Sequence, residues 1–148
     1  LRVPTIARLP GKIPAGTVNA TPGYFADWFP TLCEAIGLEK PDDLDGESLW
    51  PTLTSGKTNN DRSRPMLWVF PEYGGQVAVR IGPLKLVRQN LKTQNPGPWE
   101  VYDIEKDPGE TTDLSATQAD LIKQAEAILL REVSPNATFP LLIPGLGS

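Results

Sequence analysis

Four runs of strand length between residues 66 and 104 constrain the fold of this sequence more than any other feature. They are rich in β-branched, aromatic and other apolar residues, and turns that contain Gly or Pro separate them. The runs are Met66–Phe70, Gln76–Ile81, Leu84–Gln89 and residues 99–104. Sequential strands joined by short turns favour antiparallel pairing. The sequence therefore predicts a four-stranded antiparallel meander.

Apolar residues alternate along the second of these strands. Val77, Val79 and Ile81 fall on one face, and the residues between them fall on the other. Farther along, Ser115 and Gln118 match a capping box and precede a stripe of apolar residues at helical spacing: Leu121, Ile122, Ala125, Ile128, Leu129 and Val133. We expect this C-terminal helix to cover the dry face of the sheet, which predicts an α+β fold.

The N-terminal part of the sequence predicts one strand and one helix. Residues 3–9 have the composition of a short strand. Thr21 and Pro22 match an N-cap followed by proline at the first helical position, and apolar residues then recur at helical spacing: Phe25, Phe29, Leu32, Cys33 and Ile36. We expect Phe29, Leu32 and Ile36 to be buried and Pro30 to kink or restart the helix. Residues 39–65 are rich in turn-forming residues and predict a long surface connection.

The composition excludes several classes of function. The sequence contains no histidine, so Ser-His-Asp and Cys-His nucleophilic systems and histidine-bound zinc sites cannot be built from it. Its net charge of −4, without a basic stripe, predicts no nucleic-acid partner. No apolar run approaches the roughly 20 residues of a membrane-spanning helix, so we expect no membrane association. Cys33 lies on the predicted apolar side of its helix, which predicts a buried and inert thiol.

Alternating acidic residues begin a pattern that is typical of calcium loops: Asp103, Glu105 and Asp107. The pattern then fails, because Pro108 replaces the glycine at its sixth position and Leu114 replaces the bidentate carboxylate at its twelfth. We expect a structural turn instead, which Asp107 and Pro108 initiate and in which Gly109 adopts a positive φ.

Two further groups of side chains are candidates for ligand binding. The cations Arg80, Lys85 and Arg88 lie on adjacent predicted strands and could meet an anionic ligand, although such residues more often form a solvated face. Tryptophans could form a sugar-stacking platform, although large aromatic residues more often pack in a core: Trp28, Trp50, Trp68 and Trp99.

Five segments carry a resemblance to a known family: "LRVPTIARLPGKIPAGTV", "ADWFPTLCEAIGL", "LDGESLWPTL", "AVRIGPLKLVR" and "EVYDIEKDPGETTDL". In this order they resemble the C-terminal part of the type I sulfatases, the formylglycine-dependent arylsulfatase family of the alkaline phosphatase superfamily. The resemblance implies a parent enzyme with a large α/β domain that holds the active site and a small C-terminal domain of four antiparallel strands and a helix. Residues 1–60 would then be the last strand and helix of the large domain with a connecting loop, and residues 61–148 would be the small domain.

The sulfatase nucleophile has no counterpart in this sequence. The family oxidises a Cys or Ser in a C/S-x-P-x-R motif to formylglycine, and upstream Asp and Asn side chains hold a calcium ion. Cys33 is followed by Ala35 and Gly37 where Pro and Arg are needed, and Ser63 comes nearer but has Leu67 at the arginine position. The resemblance therefore assigns no catalytic, cofactor-binding or metal-binding residue to this chain. It places formylglycine and calcium in the parent enzyme.

The function implied by the resemblance is hydrolysis of sulfate monoesters of a sugar or an aryl alcohol by a secreted, periplasmic or lysosomal parent. The expected partners are the N-terminal catalytic domain of the same parent chain and a sulfated small molecule or glycan, and this part alone is expected to be structural and inactive. The substrate-binding residues are unknown, with Arg80 and Lys85 as speculative contacts at the domain edge. The alternatives are an independent carbohydrate- or protein-binding module and a degenerate sulfatase that lacks its nucleophile.

Overall fold

The computed structural model describes residues 3–138 and 140–143, and the chain divides into two compact units, Leu1–Arg64 and Pro65–Ser148. The first unit contains helices α1 (Trp28–Ala35) and α2 (Trp50–Ser55). The second contains strands β1 (Met66–Phe70), β2 (Gln76–Ile81), β3 (Leu84–Gln89) and β4 (Trp99–Asp103) and helix α3 (Ala119–Glu132). This content confirms the predicted α+β class.

The sheet of the second unit is the predicted antiparallel meander, with strand order β1-β2-β3-β4. Three strands have the predicted bounds, and β4 ends one residue earlier than predicted, at Asp103. Gly82 and Pro83 connect β2 to β3, and Gly82 has a φ of 57°. Because a tight hairpin needs a positive φ at its first central residue and proline fixes a negative φ at the next, this dipeptide sets the register of the hairpin.

One face of the sheet packs on α3 and forms the hydrophobic core. Val77 in β2, Leu86 in β3 and Val101 in β4 are buried there, and α3 contributes Ala125, Ile128 and Leu129. Burying a side chain of this size contributes about 1.5–3 kcal/mol. The core also contains Ile143, which lies beyond α3 in a segment without regular structure. The predicted cover of the dry face by the C-terminal helix is confirmed.

The other sheet face is drier than the alternation predicts. Met66, Ala78 and Val87 are buried on it, while Gln76 and Arg80 are partly exposed. The alternation of side chains along the strands assigns residues to the two faces correctly, but it does not predict how much of the second face is shielded from solvent.

Helix α3 begins later than predicted. Ser115–Thr117 forms a short 3-10 helix, α3 starts at Ala119, and no side chain caps it. The predicted capping box of Ser115 and Gln118 is wrong because Asp113 competes for Ser115. The carboxylate of Asp113 accepts hydrogen bonds from both the N–H (2.9 Å) and the hydroxyl (2.8 Å) of Ser115.

The first unit departs further from the sequence prediction. Residues 3–9 form no strand, because a strand needs a hydrogen-bonded neighbour and the described residues of this unit contain none. Thr21 does not cap a helix, since its Oγ1 accepts the N–H of Asn59 at 2.7 Å. A short 3-10 helix, Phe25–Asp27, leads into α1 instead. Pro30 lies in the first turn of α1, where its missing N–H has no intrahelical partner to lose, so it neither kinks nor restarts the helix.

The segment predicted as a long surface connection contains α2. Pro51 lies at the start of this helix, and Gly56 ends it with a φ of 65°. Proline at the start and a left-handed glycine after the end are common helix boundary signals. The sequence carried both signals, and the prediction missed them because the helix has only 6 residues.

Candidate functional site

The predicted cation group divides between the two faces of the sheet. Arg80 and Lys85 lie directly opposite each other on β2 and β3, whereas Arg88 pairs with Trp99 and Val77 on the core face. Lys85 Nζ donates to both carboxylate oxygens of Glu110, at 2.8 and 2.6 Å. Arg80 Nη2 lies 3.5 Å from a carboxylate oxygen of Glu105, and its Nε donates to the carbonyl of Gly82. Both candidate cations of the outer face are therefore balanced by carboxylates, and Arg88 is not part of their group.

Trp68 and Trp99 do not form a common platform. Trp68 pairs with Ala78 and thus lies on the outer face of the sheet, while Trp99 lies on the core face. Trp99 donates its Nε1 hydrogen to Glu126 at 3.1 Å, and the Arg88 guanidinium lies 5.9 Å from its ring centroid. A cavity of about 10 Å³ beside these groups has room for roughly one water. Core packing therefore explains Trp99.

The acidic segment after β4 is a hydrogen-bonded turn. Asp107 accepts the backbone N–H groups of Thr111 and Thr112, at 2.7 and 2.9 Å. These bonds, that of Thr112 foremost, hold the pKa of Asp107 below its usual range. Gly109 does not have the predicted positive φ, because Glu110 takes the left-handed conformation with a φ of 55°. The ion pair with Lys85 holds Glu110 in this less favoured region.

Asp113 closes the free edge of β4. Its Oδ1 accepts the N–H of Val101 at 2.9 Å, and the N–H of Leu114 donates to the Val101 carbonyl at 2.8 Å. The bond from Val101 is the main reason that the pKa of Asp113 lies below its usual range. The carboxylate therefore occupies a position that another strand would otherwise take.

A buried carboxylate organises the first unit, and no local sequence signal predicted this role. Asp27 is fully buried and accepts a bidentate pair of hydrogen bonds from Arg62, at 2.9 and 2.6 Å. The N–H of Tyr24 (2.9 Å) and the N–H of Glu47 (2.8 Å) also donate to it. Four donors saturate the two oxygens. We call Asp27, Arg62, Tyr24 and Glu47 the Asp27 cluster. The Asp27 carboxylate has no free acceptor position for acid–base catalysis, and it joins three segments of the chain.

The surroundings of the Asp27 cluster are equally polar. The Arg62 guanidinium lies 5.1 Å from the ring centroid of Tyr24, whose hydroxyl donates to the Asp45 carbonyl at 2.9 Å. Burial is the main cause of a raised pKa of Tyr24, and the positive charge of Arg62 opposes it. A Cβ at Gly46 would lie 2.1 Å from the carbonyl oxygen of Ala26. Only glycine allows the 44–48 loop to approach so closely.

The apolar residues of α1 point outward. Phe25, Phe29, Leu32 and Ile36 follow helical spacing on one side, and between 54% and 92% of each is exposed. The predicted burial of Phe29, Leu32 and Ile36 is therefore wrong, whereas that of Cys33 is confirmed. We call these four residues the apolar α1 face. A contiguous exposed apolar surface of this kind is typical of an interaction site.

The described residues contain neither a cluster of metal-ligating side chains nor the modification motif of the family. Across residues 3–138 and 140–143, no three or more Cys, Asp or Glu side chains are grouped so that they could hold a metal ion. Cys33 is buried in α1 and lacks the flanking Pro and Arg of the modification motif. Within the same residues, no helix has the length and apolar character needed to cross a membrane.

Comparison with known proteins identifies the family. The family described as N-sulphoglucosamine sulphohydrolase, C-terminal, matches residues 1–133. The chain belongs to this sulfatase family. The resemblance recognised from the sequence is thereby confirmed, and the residues matched include the first unit and most of the second.

Individual relatives agree with this assignment. An N-acetylglucosamine-6-O-sulfatase of Bacteroides thetaiotaomicron is 30% identical over 88% of the chain, and a sulfatase of Formosa agariphila is 31% identical over 78%. The sulfatase-family chain covers 24% and 23% of these two proteins, respectively, and so spans about a quarter of their length.

Solved structures confirm the fold. One solved structure is that of a protein in complex with its substrate D-glucosamine-2-N,6-O-disulfate. The match covers 84% of the present chain and 26% of that protein's chain, with a TM-score of 0.58 and 28% identity. Another is that of Ps i-CgsB in complex with k-i-k-neocarrahexaose. The match covers 82% of the present chain and 26% of the Ps i-CgsB chain, with a TM-score of 0.67. At 23% identity, this likeness concerns the fold alone.

Proposed function

We propose that this chain is the C-terminal part of a sulfatase that hydrolyses sulfate monoesters, and that it supplies structure to an active site formed by the N-terminal catalytic domain of the same parent. The sulfatase relatives support the reaction class. The names of the N-acetylglucosamine-6-O-sulfatase and of the glucosamine disulfate complex favour a sulfated sugar over an aryl sulfate as the natural substrate.

The apolar α1 face is the observation that carries this proposal. The first unit buries Asp27, Pro30, Thr31, Cys33 and Thr52, whereas the large side chains of the apolar α1 face are exposed. A fold of this size needs hydrophobic burial to offset the loss of conformational entropy. The catalytic domain of the parent would provide the surface that covers Phe25, Phe29, Leu32 and Ile36.

The proposal places the catalytic groups outside this chain because its described residues lack the side chains that those groups need. A sulfatase needs formylglycine and calcium, and the described residues offer neither the modification motif nor a carboxylate cluster for the metal. The proposal assigns both groups to the preceding polypeptide. It also assigns residues 1–60 to the end of the large domain and residues 61–148 to the small domain. Along the chain, the boundary between the two compact units falls between Arg64 and Pro65.

The reaction class is tested by comparing the full-length parent with this chain. We expect the parent to hydrolyse p-nitrophenyl sulfate and a 6-O-sulfated glucosamine, and the 148-residue chain to hydrolyse neither. Hydrolysis by the chain alone would show that its own residues supply the reacting groups. An inactive parent would favour the degenerate sulfatase.

Docking of the apolar α1 face is tested with Leu32→Glu. In the parent we expect a loss of about 1.5–3 kcal/mol in the free energy of unfolding, because a charge replaces a side chain that docking buries. In this chain alone the change should stay within about 0.5 kcal/mol, since Leu32 is already exposed. Denaturant unfolding measures both values, and Glu34→Lys, an exposed change outside the apolar α1 face, is the control. Equal effects in parent and chain would refute the docking.

A further inference from the structure

Two aromatic rings are presented to solvent where β1 turns into β2. The rings of Phe70 and Tyr73 stack with their centroids 6.1 Å apart and their planes 14° from parallel. Phe70 is 45% exposed and Tyr73 is 90% exposed. Rings of this kind usually contribute to a protein by burial, so a nearly parallel pair left in solvent needs another explanation.

Tyr73 adopts a backbone conformation that costs energy. Its φ is 50°, in the left-handed region that non-glycine residues seldom occupy. Gly74 and Gly75 follow with φ values of 89° and 79°. A glycine at position 73 would meet this geometry without strain, yet the chain carries a large aromatic residue there. Strained residues of this type concentrate at binding sites, where the surrounding structure holds them in place.

The turn is held firmly by the rest of the second unit. The carbonyls of Gly74 and Gly75 accept the N–H groups of Lys92 (2.8 Å) and Leu91 (3.0 Å). A Cβ on Gly75 would lie only 2.6 Å from Leu141 Cδ2, so the segment beyond α3 packs directly against the turn. The ring pair is thus fixed before any ligand arrives, which lowers the entropic cost of binding.

We propose that Phe70 and Tyr73 form a stacking site for a pyranose ring of a sulfated glycan, with Lys92 as the nearby cation for its sulfate. The choice of a sulfated sugar rests on the proposed function. Stacking uses the apolar faces of the rings, and the sugar hydroxyls remain in water. Lys92 is exposed, and no carboxylate of the described residues forms an ion pair with it.

The size of the patch favours a sugar over a protein partner. A fully exposed aromatic side chain offers at most roughly 150–250 Å² and Phe70 is only 45% exposed, whereas a stable protein interface buries about 800 Å² per partner. The neighbours Glu72, Asn90 and Lys92 are exposed and polar, so the apolar surface does not extend beyond the ring pair on their side. This site differs from the tryptophan platform considered from the sequence, since it contains no tryptophan.

The test is a titration of the 148-residue chain with a heparin-derived sulfated disaccharide and, separately, with its desulfated form. Changes in the amide and aromatic-ring chemical shifts are the readout. We expect saturable shifts centred on residues 70–75 and 92. Tyr73→Gly should weaken binding at least roughly tenfold, because it removes the ring while relieving the backbone strain. Tyr73→Phe should stay within about twofold of the original chain, and Lys92→Gln should bring the sulfated and desulfated affinities together.

Controls separate loss of the ring from loss of the fold. Tyr102→Phe, on β4, should bind like the original chain, and the melting temperature of Tyr73→Gly should be unchanged or higher. Shifts confined to other residues, no saturable shift, or unchanged affinity of Tyr73→Gly would each overturn the site. Because no ester is cleaved in this experiment, its outcome is independent of the sulfatase assay. An inactive parent would refute the proposed function while the binding result stood.

Discussion

The two units of this chain place their polar and apolar side chains in opposite ways. In the second unit, Val79 and Leu86 are fully buried and the charges of Lys85 and Glu110 lie toward the surface. In the first unit, the carboxylate of Asp27 is fully buried, as are Pro30 and Thr31, and the apolar α1 face is exposed. The second unit therefore has its own hydrophobic stabilisation, whereas the described residues of the first unit include no cluster of large buried apolar side chains.

The contrast separates what specifies a conformation from what stabilises it. A buried ion pair with saturated hydrogen bonds contributes little net stability compared with well-packed apolar residues, but breaking it leaves an uncompensated charge. The Asp27 cluster thus determines which loop meets α1, and hydrophobic burial from elsewhere would add stability to it. The apolar α1 face is where the proposed catalytic domain would supply that burial.

The largest predicted effect is that of Asp27→Ala. We expect a loss of about 3–5 kcal/mol in the first unit, because Arg62 and the N–H groups of Tyr24 and Glu47 lose their acceptor. Amide hydrogen exchange should show loss of protection around α1 and α2, while the strands of the second unit keep theirs. Asp42→Ala, at an exposed position, should change exchange by no more than about 0.5 kcal/mol. Equal losses in both units would mean that they do not unfold independently.

The next effect compares one truncation in the two units. Leu86→Ala should cost about 2–5 kcal/mol, because it leaves a cavity in the core between the sheet and α3. Leu32→Ala should cost no more than about 0.5 kcal/mol in this chain, since the side chain is exposed. Urea unfolding monitored by tryptophan fluorescence measures both variants. Similar costs at the two positions would contradict the proposed absence of a hydrophobic core in the first unit.

The same difference explains what the sequence could predict. The sheet follows from local signals, namely alternation along β2 and the Gly82-Pro83 turn, and both neighbours of each inner strand come from the same meander. The period of α1 predicted its apolar side correctly, but a period does not reveal whether the surface that covers that side belongs to the chain. For this reason the predicted burial of Phe29 and its neighbours failed.

Long-range polar contacts were the second limit. Asp27 and Arg62 are 35 residues apart, and no local pattern relates a carboxylate before a helix to an arginine in a distant loop. The positive φ of Glu110 instead of Gly109 has the same origin, because the ion pair with Lys85 spans 25 residues. In both cases a tertiary contact overrode the local preference.

A smaller effect is expected for the ion pairs of the second unit. Glu110→Gln should lower its stability by roughly 0.5–1 kcal/mol at low salt, because the pair with Lys85 is only partly shielded from water. The loss should shrink as salt is added. Lys123→Gln is the matched control, since Lys123 and its partner Asp120 are both exposed, and it should have no measurable effect. A loss at Glu110 as large as that at Asp27 would remove the distinction between surface and buried pairs.

The smallest effect concerns two tyrosines, Tyr24 in the first unit and Tyr102 in the second. Their pKa values are both raised, but for different reasons. The hydrogen bond from Tyr102 to Glu100, at 2.8 Å, is the main cause that raises the pKa of Tyr102 to about 12. In Tyr24 the main cause of the raised pKa is burial. Because the folded state favours the neutral phenol of Tyr102, its contribution to stability is present below the unfolded pKa of about 10 and is lost as the pH rises through about 12.

Glu100→Gln should therefore lower the pKa of Tyr102 towards 10 and leave the pKa of Tyr24 raised, because it removes the charged acceptor but does not expose Tyr24. Tyrosine ring chemical shifts followed from neutral to alkaline pH distinguish the two residues. Glu126→Gln, which alters the acceptor of Trp99 instead, should leave both titrations as they are. If the pKa of Tyr102 did not fall in Glu100→Gln, burial would have to explain its shift, and the tyrosines of the two units would titrate alike for the same reason.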